Sequence, residues 1–170
     1  LVFARQMASI KLHQTIPKIS QISNKNAKHC GVGLTEKLTS QDLTIAIENL
    51  RELIWREAGV DRSYCGMRKA LLAIKKDLES IKDEPLLRFI RQQKPDMCHQ
   101  FNELDLRDLN LLLDLNNRQI SSSLMLEACL FRRESRGGHF RSDSPSSLPY
   151  WECHSIQKIG FDISTRAVNK

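Results

Sequence analysis

The sequence lacks any long hydrophobic run. No apolar stretch approaches the roughly 18 residues that a membrane-spanning helix needs, so no membrane partner is predicted. It also lacks a glycine-rich phosphate loop. Gly31 and Gly33 have neither the following glycine nor the strand-to-helix context of a dinucleotide site, and no Walker lysine occurs. The residues therefore predict no nucleotide-binding motif.

Cysteine occurs only five times, an odd number at wide spacings. Such a set does not indicate a disulfide framework and is typical of a reducing compartment. Three cysteines have a histidine as neighbour: His29-Cys30, Cys98-His99 and Cys153-His154. Structural zinc sites need spacings such as C-x2-C, which let two side chains reach one ion, so a metal site is not predicted. Ser155 beside His154 lacks the third, orienting group of a catalytic triad.

Charge of one sign is not concentrated in the chain. The formal net charge of +6 and the pI of about 9.2 would suit a polyanionic partner, but basic and acidic residues are interleaved along most of the length. The aromatic residues near the arginine-rich segment do not alternate with it as a base-stacking platform would. No nucleic-acid partner is predicted.

What the sequence does contain is helical periodicity. Residues 1–13 (LVFARQMASIKLH) read as a helix already in progress, without a capping residue before it, and the first residue is Leu1 rather than Met. We therefore expect a fragment of a longer protein. Residues 14–39 are polar and contain Pro17 and two glycines, which predicts a linker.

Residues 40–134 predict a bundle of three helices in up-down-up order. The first begins near Thr39 or Ser40, with Asp42 in its first turn, and ends at Gly59. Its apolar stripe consists of Leu43, Ile47, Leu50 and Ile54. We expect Trp55 to lie in the core, on the seam side of this helix.

The second and third helices have their own stripes. The second contains Met67, Leu71, Ile74, Leu78 and Ile81. It ends or restarts at Pro85, and the segment LLRFIRQQ adds a further turn or two. The third is capped by Asn102 and would be about 48 Å long if unbroken to Glu134. Its predicted stripe contains Leu106, Leu109, Leu113, Ile120, Leu124, Ala128 and Phe131.

Residues 135–170 form a loop and a tail. In the tail, YWECHSIQ and DISTRAV are separated by a turn that contains Gly160, which predicts a short antiparallel β-hairpin. The predicted fold class is mainly α: an N-terminal helix, a polar linker, the three-helix bundle and the hairpin tail.

The segment RRESRGGHFRSDSP, residues 132–145, holds four arginines, a histidine, two acids and a Gly-Gly pair. Guanidinium groups in this arrangement could bind phosphates or a carboxylate, and the glycines would let another backbone come close. Alternatively, the cations only complement the dipole at a helix C-terminus. The residues alone leave both readings open.

Taken together, three segments carry a family resemblance. ACLFRRESRGGHFRSDSP followed by YWECHS resembles the C-terminal region of the L-aspartate oxidases, within the succinate dehydrogenase/fumarate reductase flavoprotein family. That family has an S-R-G-x-H-x-R-x-D-x-P stretch with a Trp and a His after it. The matching residues are Ser135, Arg136, Gly137, His139, Arg141, Asp143, Pro145, Trp151 and His154. LRELIWREAGVDRS, with its Trp-x-x-x-Gly-x-x-Arg pattern, and LVFARQMAS also resemble family segments. Ser142 departs from the acid that many relatives carry there.

The resemblance implies an FAD-dependent oxidation of L-aspartate to iminoaspartate in NAD biosynthesis, in the bacterial cytoplasm or a plastid. It places the flavin-binding and catalytic residues upstream of Leu1, so none is assigned in this chain. No FAD is expected to bind the chain alone, and the chain alone should be inactive. The implied partners are the flavin-binding domain of the same enzyme and quinolinate synthase.

On this resemblance, residues 1–13 end a flavin-domain helix and residues 40–134 form the C-terminal domain of the flavoprotein. We expect four charged residues to dock that bundle onto the flavin domain: Arg136, His139, Arg141 and Asp143. The alternatives are a stand-alone helical interaction module and a fragment of another fumarate reductase/succinate dehydrogenase-type flavoprotein.

Overall fold

A computed structural model of the chain describes residues 28–29, 38–92, 99–100, 103–158 and 160–168. Its helices are α1 (Ser40–Ala58), α2 (Tyr64–Ile81), α3 (Pro85–Gln92) and α4 (Glu103–Phe131). A parallel pair joins β1 (Lys28–His29) to β2 (His99–Gln100). A 3-10 turn (Pro149–Trp151) leads into an antiparallel hairpin of β3 (Cys153–Ile156) and β4 (Ser164–Ala167). The mainly α fold with a hairpin tail is confirmed. The predicted helix over 1–13, most of the linker over 14–39 and the Asn102 cap lie outside the described residues.

The first two helices begin at side chains that cap them. At α1, Thr39 Oγ1 accepts a hydrogen bond from the Asp42 amide at 3.2 Å, and Asp42 Oδ2 accepts one from the Thr39 amide at 3.0 Å. The two bonds form a reciprocal capping box, at the position where the sequence predicts the start of this helix. At α2, Ser63 Oγ accepts from the Gly66 amide at 3.1 Å. These bonds satisfy amides that have no partner within the helix.

Contacts at both ends of the bundle fix the directions of the helices. Ser40, at the start of α1, donates a hydrogen bond to Asp108 near the start of α4, and Arg62, just after α1, contacts the loop that follows α4. These two helices are therefore parallel. Tyr64, at the start of α2, contacts Asp143 of the same loop, so α2 runs the other way. The order is up-down-up, as predicted.

Helix α4 packs against α1, α2 and α3 and supplies much of the core. The buried apolar residues are Leu43, Leu50, Ala58, Met67, Ala70, Ile74, Ile81, Leu86, Leu87, Leu109, Leu112, Leu115 and Leu126. The stripes predicted for α1 and α2 lie at this core. Their members that are not fully buried still pack against it: Ile47, Ile54, Leu71 and Leu78. In the part of the chain that the structure describes, no helix combines the length and the apolarity needed to cross a membrane.

The stripe predicted for α4 is partly wrong. Leu106, Ile120 and Leu124 are 48%, 42% and 45% exposed, so they do not form the seam. The buried face instead contains Gln119 and Ser123. These polar residues interrupt the seam in the sequence and make a neighbouring, more apolar face look like the packed one.

Two further predictions are corrected. Trp55 is 74% exposed rather than in the core. Ile54 occupies the seam, and at 3.6 residues per turn the next side chain points about 100° away from it. Helix α4 ends at Phe131 rather than at Glu134, because side chains of the following loop take over the hydrogen bonds of its last carbonyl groups.

Candidate domain-docking site

The loop after α4, residues 132–148, is called the motif loop here. Its tip is a tight turn in which the amide of Arg136 donates to the carbonyl of His139 at 2.8 Å, and the amide of His139 donates back at 3.0 Å. Gly137 lies in this turn at φ +56°, a conformation that glycine adopts without steric cost. The turn presents its backbone to solvent, and Gly138 is exposed.

Arg141 caps the end of α4. Its side chain is only 2% exposed, and its Nη1 donates to the carbonyls of Cys129, Leu130 and Arg132 at 3.1, 3.3 and 2.9 Å. Helix C-terminal carbonyls lack partners within the helix and carry partial negative charge. The guanidinium therefore satisfies three acceptors of this chain with one buried cation.

The other side of the Arg141 guanidinium faces Asp143. Nε and Nη2 donate to the two carboxylate oxygens at 3.2 and 2.5 Å, the two-pronged geometry that arginine favours with carboxylates. The hydrogen bond from Arg141 is the main reason why the pKa of Asp143 lies below its usual value. Asp143 Oδ1 also accepts from the Tyr64 amide at 3.1 Å. One ion pair thus connects the end of α4 to the start of α2.

Arg62 makes a second connection, between α1 and the motif loop. Its Nε donates to the carbonyl of Ala58 at 3.0 Å, at the end of α1, and its Nη1 donates to the carbonyl of Gly138 at 3.2 Å. The Arg62 carbonyl accepts from the Ser142 amide at 2.9 Å. The Ser142 hydroxyl donates to the same carbonyl at 3.2 Å. Ser142, the departure from the family pattern, therefore contributes to this connection.

His139 lies between arginines. Its Nδ1 is 3.1 Å from the Arg62 Nη1, and its Nε2 is 3.3 Å from the Arg132 carbonyl. Because a guanidinium only donates, Nδ1 is the acceptor and Nε2 carries the proton that the carbonyl accepts. Burial is the main cause that lowers the pKa of His139, and the charges of Arg62, Arg141 and Arg132 lower it further. The hydrogen bond to the Arg132 carbonyl acts in the opposite direction and raises it. The arrangement therefore favours a neutral imidazole.

Glu134 is the acidic centre of the loop and is fully buried. Oε1 accepts from Arg132 Nη1 at 2.5 Å and from Arg136 Nε at 2.9 Å. Oε2 accepts from Arg136 Nη2 at 3.2 Å and from the Leu148 amide at 2.8 Å. These bonds, that of Arg136 first, lower the pKa of Glu134 to about 2 against the opposing effect of burial. The carboxylate is thus held ionised and fully bonded.

Arg132 attaches the tail to this centre. Its guanidinium donates to the carbonyls of Trp151 at 2.8 Å and Cys153 at 2.5 Å, and it lies 5.3 Å from the centre of the Trp151 ring. The indole packs edge-on against Phe131, with ring centres 5.3 Å apart. The Trp of the family pattern therefore packs against the last turn of α4. His154, the other tail residue of that pattern, is exposed on β3.

The four residues predicted to dock the bundle thus lie together in one loop. Arg141 and Asp143 serve contacts within the chain, and His139 is half-buried. Of the two arginines, Arg136 is the more open, with 40% of its side chain exposed. Most of the charges that the sequence predicted to meet a flavin domain meet acceptors of this chain instead, because helix ends and Glu134 lie within reach. The docking role of the four residues stays a prediction.

Three residues of this network are not in the set predicted to dock the bundle: Arg62, Arg132 and Glu134. Arg62 was within reach of prediction, because it is the Arg of the Trp-x-x-x-Gly-x-x-Arg pattern that starts at Trp55. Glu134 stands two residues from both Arg132 and Arg136. Adjacency in sequence, however, does not tell whether a carboxylate is solvated or fully buried.

An open apolar groove lies beside the tip of the motif loop. It has a volume of about 990 Å³ and is called the Trp55 groove here. Its exposed apolar side chains are Trp55, Val60 and Phe140, at 74%, 76% and 44% exposure. The remaining lining residues are Glu48, Arg51, Glu52, Ile54, Ala58, Gly59, Arg62, Gly137 and Gly138. The groove thus combines exposed apolar side chains with charged side chains of both signs, as protein interfaces do.

Among the described residues, no group of three His, Cys, Asp or Glu side chains is arranged to hold a metal ion. Cys129 is half-buried near Arg62 and Arg141. Burial raises the pKa of its thiol, and the two arginines act in the opposite direction.

Comparisons with known proteins agree with the pattern in the motif loop. The family described as fumarate reductase flavoprotein C-term matches residues 47–169. An L-aspartate oxidase of Nostoc sp. is 34% identical over 116 residues, which are 67% of this chain and 20% of that protein. An L-aspartate oxidase of Synechocystis sp. is 26% identical over 160 residues, 92% of this chain and 28% of that protein.

A fumarate reductase (CoM/CoB) subunit of Methanothermobacter marburgensis is 30% identical over 107 residues, 62% of this chain and 17% of that protein. The chain thus spans less than a third of the length of each of these relatives. No solved structure matches it significantly. The match over residues 47–169 covers most of the helical bundle and the motif loop with its tail, and the chain belongs to the family of fumarate reductase flavoprotein C-terminal domains.

Proposed function

We propose that this chain is the C-terminal helical domain of an FAD-dependent L-aspartate oxidase, which converts L-aspartate to iminoaspartate in NAD biosynthesis. The observation that carries the proposal is the similarity to L-aspartate oxidases from two organisms, one of which extends over 92% of the chain. FAD and the catalytic groups belong to the flavin-binding part of the same enzyme. The chain alone binds no flavin and has no oxidase activity.

The contribution of this domain is structural. The motif loop connects the ends of α1 and α4 to the start of α2 through Arg62, Arg141 and Asp143. It thereby holds one end of the bundle in a fixed shape. The part of the loop that faces outward, with Arg136 and the Gly137 turn, is the part available to the flavin domain. Arg141 and Asp143 support docking from inside by holding that turn in place.

The test starts from the full open reading frame that encodes residues 1–170. We expect its product to be yellow, to show flavin absorbance and to consume L-aspartate with formation of iminoaspartate. The chain of residues 1–170, purified separately, should be colourless. A reading frame without a flavin-binding segment, or flavin bound to the separate chain, would refute the proposal.

A second candidate is another flavoprotein of the same family, with fumarate rather than L-aspartate as its substrate. The similarity to one fumarate reductase protein, 30% over 107 residues, favours it. Reduction of fumarate by the full-length product, without oxidation of L-aspartate, would decide for it. The third candidate is a stand-alone helical interaction module, which requires an open reading frame that begins within this chain. Association with quinolinate synthase and a setting in the bacterial cytoplasm or a plastid are further proposals that follow from the first candidate.

A further inference from the structure

We propose that the Trp55 groove is the surface on which the flavin-binding part of the same polypeptide docks. This inference rests on the proposed function, since it takes its partner from there. It adds a set of contact residues, centred on Trp55, Val60 and Phe140, that differs from the arginine-rich set predicted from the sequence.

Exposed apolar side chains are concentrated in one place. Trp55 and Val60 are 74% and 76% exposed, and Phe140 is 44% exposed, yet all three line the same groove. Single exposed apolar residues are common, whereas a contiguous apolar patch with a polar rim marks an interaction site. Tryptophan is also among the residues most enriched at the centres of protein interfaces.

The groove also has a rigid frame. Arg62 bonds the end of α1 to the Gly138 carbonyl. The double hydrogen bond between Arg136 and His139 fixes the turn that forms the other wall. Trp55 on α1 and Phe140 beside the turn, which both line the groove, are therefore held in position before any partner arrives. Such preorganisation reduces the ordering cost of association.

Gly138 also lines the groove. A Cβ built at this position meets nothing within 4 Å, and Gly138 is not among the residues with positive φ. Nothing in the described part of the chain therefore requires a glycine there. A bare backbone on the wall of a groove is useful when another backbone comes close to it, which points to an occupant from outside the described residues.

Chain length and position indicate what occupies the groove. The relatives are several times longer than this chain, which covers 20% and 28% of the two L-aspartate oxidases, so the domain occurs joined to a larger flavoprotein part. The described chain enters the bundle at Leu38, whose amide donates to Glu84 at 2.9 Å. This is the end of the bundle opposite to the groove.

The distance from that entry point to the groove corresponds to the length of α1, about 28 Å at ~1.5 Å per residue. A segment as long as residues 14–37 spans at most about 84 Å at ~3.5 Å per residue. A domain that precedes this segment can therefore reach the groove. A covalent tether also raises the local concentration of the partner, so a groove of modest size suffices.

The experiment compares two proteins: the chain of residues 1–170 alone, and the yellow product of its full reading frame. Hydroxyl-radical footprinting measures the oxidation rate of individual side chains in each. We expect Trp55 and Phe140 to be oxidised about tenfold more slowly in the full-length protein. Leu72 on α2 is 61% exposed and does not line the groove, so its rate should be the same in both proteins.

Substitutions with a matched control complete the test. Val60→Ser in the full-length protein should accelerate loss of flavin on dilution, whereas Leu72→Ser, which also removes an exposed apolar side chain, should not. Gly138→Leu should leave the urea unfolding curve of the isolated chain unchanged and reduce flavin retention in the full-length protein. Trp55→Ser should weaken docking by about 30-fold, the effect typical of an interface hot spot.

The outcomes separate the two proposals. A colourless full-length product, or a reading frame without a flavin segment, overturns both. A yellow protein in which Trp55 is oxidised as fast as in the isolated chain overturns the docking surface alone. Protection that appears in the isolated chain and grows with its concentration assigns the groove to a second copy of the chain and also overturns the proposal.

Discussion

The substitution Arg141→Met tests whether the motif loop holds the bundle together. It removes the guanidinium that donates to three carbonyls at the end of α4 and to both oxygens of Asp143. It keeps most of the volume of the side chain, so lost packing contributes little.

The magnitude follows from the burial of the partners. Removing one partner of a buried ion pair costs about 3–5 kcal/mol. Asp143 is 34% exposed in its side chain, so water compensates part of its loss. Each carbonyl left without a donor adds roughly 1–3 kcal/mol, although one of them, that of Arg132, still accepts from His139. Because these contributions are not additive, we expect a decrease of about 3–4 kcal/mol in the free energy of unfolding. That is a large part of the ~5–15 kcal/mol that stabilise a domain.

The assay is urea unfolding of the chain of residues 1–170, followed by its helical circular dichroism. Arg118→Met is the matched control, because Arg118 also pairs with an acid, Asp114, but both side chains are nearly half exposed. Such a pair contributes about 0.3–0.5 kcal/mol. Arg141→Lys should fall between the two, since an ammonium cannot reproduce the fork of donors. If Arg141→Met cost no more than the control, the assignment of this arginine to the helix ends would be refuted.

Three further predictions concern the same loop. The pKa of Glu134 is lowered to about 2 in the folded state. The stability that Glu134 contributes should therefore be complete above its pKa in the unfolded chain and decline as the pH falls through about 2. Glu134→Gln should remove this pH dependence in urea unfolding series at several pH values. The pKa of His139 is also lowered on folding, so its contribution should be present above the unfolded value of ~6.5 and decrease on acidification. NMR titration of the imidazole should show the lowered pKa, and Arg62→Gln should raise it by removing a nearby cation. Gly137→Ala should decrease the free energy of unfolding by ~1–2 kcal/mol, because Gly137 has a φ of +56°. The melting temperature should fall accordingly, whereas Gly138→Ala should leave it unchanged.

The helices α1 and α2 could be predicted in detail because their apolar seams are regular and their ends carry ordinary signals. Thr39 and Asp42 form a capping box that is legible in the sequence, and Gly59 ends α1 where a Cβ would lie 2.4 Å from the Trp55 carbonyl oxygen. Helix α4 was harder because it has three neighbours. A helix at the centre of a bundle is apolar on several sides, so the choice among its faces depends on which of them the other helices cover.

The motif loop shows a different limit. Its sequence pattern located the important residues, Arg136, His139 and Arg141 among them, but not their roles. Arg62 precedes Arg141 by 79 positions, and only the up-down-up topology brings the two together. The exposure of Trp55 was missed for a related reason. Periodicity predicts which face of a helix is apolar. It does not tell whether a tryptophan at the border of that face packs into the core or stays exposed.

The same geometry limits what an external anion could find in the motif loop. To bind a phosphate or a carboxylate, Arg141 would have to give up carbonyl groups at the end of α4, and Arg132 would have to release Glu134 and two carbonyls of the tail. Each exchange replaces a buried, charge-assisted bond by another, so the net gain from an added anion is small while the cost to the helix ends is large. The arginine-rich pattern is therefore better suited to shaping a surface than to holding a charged ligand. What the loop offers to a partner is the backbone of its glycine turn and the ring of Phe140, in the position that its arginines impose.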